Sequence, residues 1–591
     1  MNFFSKLKEK KIHRTFKKKV ARKNNLKKSI NKAGDNKNSQ KLPPHLAKRI
    51  NAEFSLFRWV DNYRFKDYKR KNPNIISGYS ENKKIKKLNL RTFYHLFLYL
   101  GTLYFCLNTM PNKIWDPELK QITILIAAIG IWRYTWWFNH YLRSEIYHFI
   151  VFPRLRKKAD FLWEKHKKNQ RFHFMMTTYK ENIDTTRRVM KSICDNIRSS
   201  GADSVVWLGS ADPEDEFLLA EYIRFYGGDL PITLNIIRQY GSGKRQAIGL
   251  VLRAMSRADI DNNDFVVFMD GDSILGEKVI EKCAGLFFTD SELQAVTTDE
   301  EVVCFGPKWM VTWLTMRFAQ RRVAMQSHSL SKKVLTLTGR MTVYRAFHVK
   351  NEQFIQLLEN DFLEHWLWGR FKFLSGDDKS TWYYMLLKGA RLLYVPDATV
   401  YTVEYVEGSA VNRMLQNFRR WSGNMLRNGT RAIALGPRKV GLFIWWCVVD
   451  QRISMWTMLV SPILAISASF LISPWYIVGY FMWIALSRFF LSIFLWRYSD
   501  KIYLSYPLLL YVNQLINSTL KVYSVFRLSK QRWANRGDQT AGFSEGKIEY
   551  LRNLMANWIT LVWVLALFIV VIIYTGILEP LSYFGFLTLF S

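Results

Sequence analysis

Strongly apolar blocks stand on either side of a long mixed stretch, and that arrangement restricts the chain to a multi-pass membrane protein with a folded domain between its spans. Thr92–Met110 and Gln121–Phe138 are each near the roughly 20 apolar residues that a helix needs to cross a bilayer. The loop between them (PNKIWDPELK) is short, and a densely basic stretch follows, HYLRSEIYHFIVFPRLRKKADFLWEKHKKNQR. Basic flanks stay on the cytoplasmic side, so residues 92–139 are expected to form a hairpin, 140–170 a juxtamembrane linker, and 171–431 a cytoplasmic domain. Beyond Lys439 the chain turns apolar again. Within 440–526, Val440–Arg452 combines aromatics with Asp450 and Arg452 and is expected to lie along the interface. Met455–Ile472 and Trp475–Leu495 form a second spanning pair. Ile502–Phe526 carries Asn513, Gln514, Asn517, Ser518 and Lys521 along one side, which fits either an interfacial helix or one lining a polar path. The basic loop 527–547 returns to the cytoplasm, and Asn557–Thr575, within the C-terminal region 548–591, spans once more.

Charge is just as uneven. The 591 residues carry a formal net charge of +37, and residues 1–91 hold 28 Lys+Arg against 6 Asp+Glu. This tail is too polar to build a core, so Met1–Gln40 is expected to be largely disordered. Next to a hydrophobic span its positive charge suits contact with anionic lipid and a cytoplasmic location. No nucleic-acid partner is expected. The first apolar segment begins too late for a secretory signal. The five cysteines, Cys106, Cys194, Cys283, Cys304 and Cys447, show no paired spacing and suit reduced, structural thiols rather than disulfides or a zinc motif.

In residues 171–431 strand-like runs (Phe172–Thr177, Ser204–Leu208, Ile232–Ile237, Phe265–Met269) alternate with helical stretches such as Asp184–Ser199 and Asp215–Phe225. The alternation predicts an α/β fold with a mostly parallel sheet, whose ligands bind at the carboxyl ends of the strands. One such end is Asp270-Gly271-Asp272. Carboxylates there can hold a hard divalent cation that neutralises a diphosphate; an ordinary Asp-Gly turn is the plain alternative. Thr177, Tyr179 and Glu181 end another strand, in MMTTYKEN, where hydroxyls and backbone groups suit a base or ribose. Gly241-Ser242-Gly243 leads into Lys244 and Arg245 at a helix start, a cradle for diphosphate or merely a basic turn. Gly376-Asp377-Asp378-Lys379 offers a carboxylate able to take a proton from a sugar hydroxyl. Arg420-Trp421 pairs a phosphate-binding cation with a ring that stacks on sugar, or with a packing anchor.

In this order, between membrane hairpins, these motifs resemble the processive family-2 glycosyltransferases of the inner membrane: cellulose, chitin, hyaluronan and alginate synthases. Longer blocks, among them GSGKRQAIGLVLRAMSR and HWLWGRFKFLSGDDKSTW, are similar to the alginate polymerases, the mannuronan synthase glycosyltransferase subunits. The resemblance implies a GT-A-like domain with Asp270 and Asp272 as ligands of Mg²⁺ or Mn²⁺. It implies Asp378 as general base, beside Asp377, with Arg420 on the diphosphate and Trp421 by the acceptor. Asn417 stands where the family has Gln. Asp212 is the candidate for the family's strand-two aspartate, and the loop with Trp533 and Arg536 resembles the gating loop that closes over the donor. The implied donor is GDP-mannuronate, with UDP-GlcNAc, UDP-glucose or GDP-mannose as the alternatives of related synthases. The implied partners are the growing polysaccharide, the bilayer, a cyclic-di-GMP-binding co-polymerase and export proteins.

Overall fold

The computed structural model describes residues 90–109, 120–239, 243–406, 408–499, 503, 505–533, 539–543, 546–574 and 576. The basic tail expected at 1–91 therefore lies almost wholly outside the described residues, as do Arg536 and the last residues of the chain.

An eight-stranded sheet forms the centre of the domain. Its first four strands are β1 (Arg171–Thr178), β2 (Asp203–Ser210), β3 (Ile232–Arg238) and β4 (Phe265–Asp270). They are followed by β5 (Ser273–Leu275), β6 (Leu293–Phe305), β7 (Met341–Arg345), a side hairpin of β8 (Phe362–His365) and β9 (Gly369–Lys372), and β10 (Arg391–Tyr405). The order across the sheet is β3-β2-β1-β4-β7-β6-β10-β5. The β3-β2-β1-β4 half is parallel throughout, as the βαβ alternation predicts. Strand β7 then runs antiparallel to both β4 and β6, and β6 and β10 pair in parallel over a long register. Sequence alternation does not reveal this second half, because β7 joins the sheet after the long helix Lys308–Ser329.

Burial explains the parallel half. Helices cover both faces, so the middles of β1, β2 and β4 are buried on both sides, with Phe174, Val206 and Val267 fully buried. The register sets the carboxyl ends side by side: Thr178 lies opposite Ser210, and Thr177 opposite Asp270. Three strands thus deliver their last residues to one place.

Among the described residues, the helices Leu90–Asn108 and Lys120–Ile146 precede the domain. The second continues through a π-helical turn, Tyr147–Val151, into Phe152–His166. After the domain, the helices Leu442–Leu471, Trp475–Tyr498 and Lys547–Ile573 are long and apolar enough to cross a membrane. The separate interfacial segment expected at 440–452 is instead the opening of the 30-residue helix Leu442–Leu471. Its charges are paired inside the protein rather than laid on a headgroup surface. Asp450 meets Arg133 at 2.8 Å, and Arg452 donates to Leu426 O and Thr430 Oγ1. The polar stripe of the ambiguous segment lies on the helix Tyr506–Val525 and also points inward. Asn513 accepts from Trp313 Nε1 at 2.9 Å, Gln514 from Arg488 at 2.9 Å and Asn517 from Ser422 at 3.1 Å. Among the described cysteines, Cys194, Cys283, Cys304 and Cys447 are free and buried.

One buried network joins the sheet domain to the helix that leads into the membrane. Arg431 pairs with both oxygens of Asp361, at 2.7 and 2.8 Å, and Ser380 donates to the same carboxylate at 2.5 Å. Removing one partner of a buried pair strands the other charge in a low-dielectric interior, at about 3–5 kcal/mol. Asp361→Ala is therefore expected to lower stability by that amount, read as a large drop in the unfolding temperature of the detergent-solubilised protein. Asp361→Asn, which keeps acceptor capacity, should lose less.

Candidate active site

The site begins at Asp270, the last residue of β4, and turns on Gly271. A Cβ at Gly271 would sit 2.7 Å from the carbonyl oxygen of Thr177, so only glycine lets the turn pack against the end of β1. From there Asp270 Oδ1 accepts from Lys244 Nζ at 2.7 Å, and the same ammonium donates to Asp377 Oδ2 at 2.8 Å. Lys244 opens the helix Lys244–Arg257, and Asp377 opens the helix Asp377–Leu387. One cation thus ties together a strand end and two helix starts. Asp272 is held by Arg340 at 2.6 Å, and Arg340 also lies 3.8 Å from Asp270. Sequence reasoning missed Arg340; the only trace of it was a cation in TLTGRMTVY, just before β7.

Gly376 sets the entry to the Asp377–Leu387 helix. Its φ of +89° is left-handed, and a Cβ there would meet Asn424 at 2.8 Å. The turn places Asp377 and Asp378 in one small pocket with Thr177, Lys244, Asp270 and Gly339.

Electrostatics separates the carboxylates. Burial pushes Asp378 up to about 6, helped by the neighbouring charge of Asp377 and opposed by Lys379 and Lys244. Asp377 is equally buried, yet Lys244 and Arg245 outweigh that burial and hold it below the ordinary carboxylate range. For Asp270, burial outweighs Lys244 and Arg340, and its affinity for protons is raised. Asp270 is thus less fully compensated than Asp377.

Several expected residues have other tasks. Arg245 does not face a ligand. It is buried and donates to the carbonyls of Leu358 and Ser375 and to Ser380 Oγ at 3.0–3.2 Å, holding the Asp377–Leu387 helix in place; a guanidinium whose two terminal nitrogens both face inward acceptors is not available to a diphosphate. Asp212 caps the helix Pro213–Gly227, accepting from Glu214 N–H at 3.0 Å. The acid that grips the end of β1 is Asp215, which accepts from Lys180 N–H at 2.7 Å and Thr178 Oγ1 at 3.4 Å. Burial pushes it up to about 6. In the sequence it is one of three acids in the first turn of that helix, with nothing to set it apart. Tyr179 is exposed at the same strand end, and Glu181 is half-buried.

Arg420 is half-buried and makes no hydrogen bond or ion pair with another described residue, while lying in the field of Asp378 and Arg340. Trp421 stacks on Trp313 at 6.3 Å between ring centroids, and Arg317 lies 5.6 Å from its ring. Trp533 ends β11 (Gln531–Trp533), which pairs with β12 (Gln539–Ala541). That hairpin is anchored beside the pocket: Gln531 accepts from Leu374 N–H at 3.0 Å and donates to Lys372 O at 2.8 Å. On its other strand, Gln539 lies 3.7 Å from where a Cβ on Gly243 would be.

The turn at Gly271 makes the geometry testable. Gly271→Ala must push the ends of β1 and β4 apart, and misplacement of reacting groups by about 1 Å costs about 10²-fold in rate. Turnover is expected to fall by that order while membrane insertion is unchanged; steady-state kinetics on purified membranes reads the first and fractionation the second.

Comparison with known proteins gives the family. The family model Glycosyltransferase like family 2 matches residues 170–424. Glycosyltransferase alg8 of Pseudomonas syringae pv. tomato is 36% identical over 439 residues, 74% of this chain and 89% of that protein. Its namesake from Azotobacter vinelandii is 34% identical over 441 residues, with the same coverage. Among solved structures, mannosyltransferase PcManGT from Pyrobaculum calidifontis, in complex with GDP-Man and Mn²⁺, covers 67% of this chain and 97% of its own at 16% identity and a TM-score of 0.38. The match to the alg8 relatives is much longer than the residues the family model covers, and the chain belongs to their family, the alg8 glycosyltransferases, with a family-2 glycosyltransferase domain.

Proposed function

We propose that this chain is an inverting, processive polymerase that transfers mannuronate from GDP-mannuronate to the end of a growing alginate-like polysaccharide. The observation that carries the reading is the convergence of Asp378, Asp377, Lys244 and Asp270 in one pocket at the strand ends. Resemblance to alginate polymerases supplies the sugar.

Asp378 is the base. A carboxylate pushed up to about 6 is still largely ionised at neutral pH, yet is a better proton acceptor than an ordinary aspartate. It takes the proton of the acceptor's 4-hydroxyl as that oxygen attacks C1 of the donor. The C1–O bond to the diphosphate breaks and GDP departs. Lys244 and Arg420 bear on the charge that develops on the diphosphate. Arg420 suits this part because no described side chain occupies it. Asp270 and Asp272 offer hard oxygen donors suited to Mg²⁺ or Mn²⁺, and the rise in proton affinity at Asp270 fits a place for added cation charge. When bound, the ion would neutralise the diphosphate as it leaves. The hairpin with Trp533, next to Gly243, is suited to close over the donor.

A polyuronate carries a charge on every sugar and needs a polar, partly cationic route. A cavity of about 390 Å³ among the membrane helices has Arg133, Arg488, Lys521, Gln514 and Asn517 in its wall. We assign it to the nascent chain. Basic flanks support a catalytic domain on the cytoplasmic face of the inner membrane. The family resemblance adds a co-polymerase that binds cyclic-di-GMP and partners for export.

Two measurements bear on this. Because Asp378 must be ionised to act, kcat/KM should fall roughly tenfold per pH unit below about 6 and level off above it. Asp378→Asn should remove about 10²–10⁴-fold of polymer formation while insertion and nucleotide binding persist. Robust polymer from that variant would remove Asp378 as the base. Separately, membranes given labelled GDP-mannuronate, GDP-mannose, UDP-GlcNAc and UDP-glucose should make polymer from the first alone. Polymer from a UDP-sugar, with none from GDP-mannuronate, would reassign the donor.

A further inference from the structure

Away from the catalytic pocket, three helices from different parts of the chain bring together His140, His328 and Cys447. They belong to Lys120–Ile146, Lys308–Ser329 and Leu442–Leu471. The first helix precedes the catalytic domain, the second lies within it, and the third follows it. One ligand atom from each residue falls within 4.8 Å of the other two. We propose that these residues form a binding site for zinc, or a borderline divalent ion like it, that joins the catalytic domain to its membrane helices.

The distances suit this chemistry. Zinc bonds of about 2.0–2.1 Å to nitrogen and 2.3 Å to sulfur, at tetrahedral angles, put the two donors about 3.6 Å apart. Cys447 Sγ lies 3.9 Å from His140 Nε2, so a small rotation of either side chain closes the gap. The rings of His140 and His328 stand at 89° with centroids 5.3 Å apart, a separation comparable to that of two imidazoles bound to one tetrahedral ion.

The surroundings are those of a held ligand. His140 Nδ1 pairs with Ser327 Oγ at 2.9 Å, which orients the ring with its other nitrogen toward the thiol, as outer partners do in metal sites. Arg143, one turn along, donates to Ser327 O at 3.2 Å and Ser331 Oγ at 2.5 Å, fixing the two helices to each other. His328 is 3% exposed, and its Nδ1 is buried without a hydrogen-bond partner. A buried polar nitrogen left in that state is costly, and metal coordination would satisfy it. Trp136 and Phe443 pack on the imidazoles and give the site a low-dielectric wall. Asp450 is one helical turn from Cys447 but is committed to Arg133, so it is not a fourth ligand.

All three residues also line the large membrane cavity. That cavity supplies an entry path and leaves the fourth coordination position to water. Thiolate and imidazole donors favour zinc over magnesium, so this site is chemically distinct from the carboxylates at Asp270 and Asp272. It does not depend on the identity of the donor sugar.

The test uses the full-length protein purified in detergent and titrated with Co²⁺ in Mg²⁺-free buffer. Wild-type protein should develop a thiolate-to-cobalt charge-transfer band and the strong visible absorption of four-coordinate cobalt, saturating at about one ion per chain. Adding Zn²⁺ should abolish both signals. Cys447→Ser should lose the charge-transfer band, and His328→Ala should bind at least about tenfold more weakly. Asp270→Asn with Asp272→Asn should keep the band, separating this site from the catalytic one. Absence of the band from well-folded wild-type protein would overturn the proposal without reference to any variant. Its persistence in Cys447→Ser would do the same.

Discussion

The shared ammonium of Lys244 is the interaction on which the geometry of the candidate site depends. Asp270 ends a strand and Asp377 begins a helix, and nothing in either backbone requires them to meet. Lys244 lies 2.7 Å from one and 2.8 Å from the other. Isolated carboxylates would be expelled from so enclosed a pocket, or would take up protons. With the ammonium between them, Asp377 stays readily ionised. Asp378, next in the chain but less well compensated, is left as the stronger proton acceptor. The division of labour between two adjacent aspartates thus follows from which of them reaches Lys244.

Glycine backbone geometry makes this possible at two points. Gly271 lets the Asp270–Asp272 turn lie against the Thr177 carbonyl, and Gly376 takes a left-handed conformation against Asn424. Behind them, Arg245 and Asp361 both converge on Ser380, one turn into the helix that carries Asp377 and Asp378. Arg431 ties that network to the helix Ala410–Ala434, which also carries Arg420 and Trp421. A shift of that helix would move the aspartate pair and the unpaired arginine together. The site is therefore coupled to the elements that lead into the membrane.

Much of this was legible in sequence because the parallel strands are short, apolar and separated by helical stretches. The strand ends followed, and with them Thr177 and Asp270 side by side; only the family resemblance added Asp377 and Asp378 to them. What escaped was set by tertiary pairing. Arg245 follows Lys244 directly, but successive helical residues point in different directions: Lys244 faces the aspartates while Arg245 faces the backbone carbonyls behind them. Asp212 and Asp215 are both acids near the end of β2, and only the three-dimensional structure shows that one caps its own helix while the other holds the loop after β1. Arg340 comes from beyond the domain's long helix, with no spacing to link it to Asp272. In the membrane region, Asp450 and Arg452 suggested an interface because sequence does not show Arg133 or the Leu426 carbonyl waiting for them.

Those membrane charges bear on the proposed path. A cavity wall with Arg133, Arg488 and Lys521 presents excess positive charge inside an apolar bundle, where an unpaired cation is costly. Two of these are partly answered by protein: Arg133 pairs with Asp450, and Arg488 donates to Gln514. Full pairing would make a stable bundle with no affinity for an anion, and no pairing at all would make one that does not hold together. Partial pairing leaves acceptor-poor cations along a polar wall that a polyuronate can satisfy one carboxylate at a time. No single contact then needs to be strong enough to trap a chain that must keep moving.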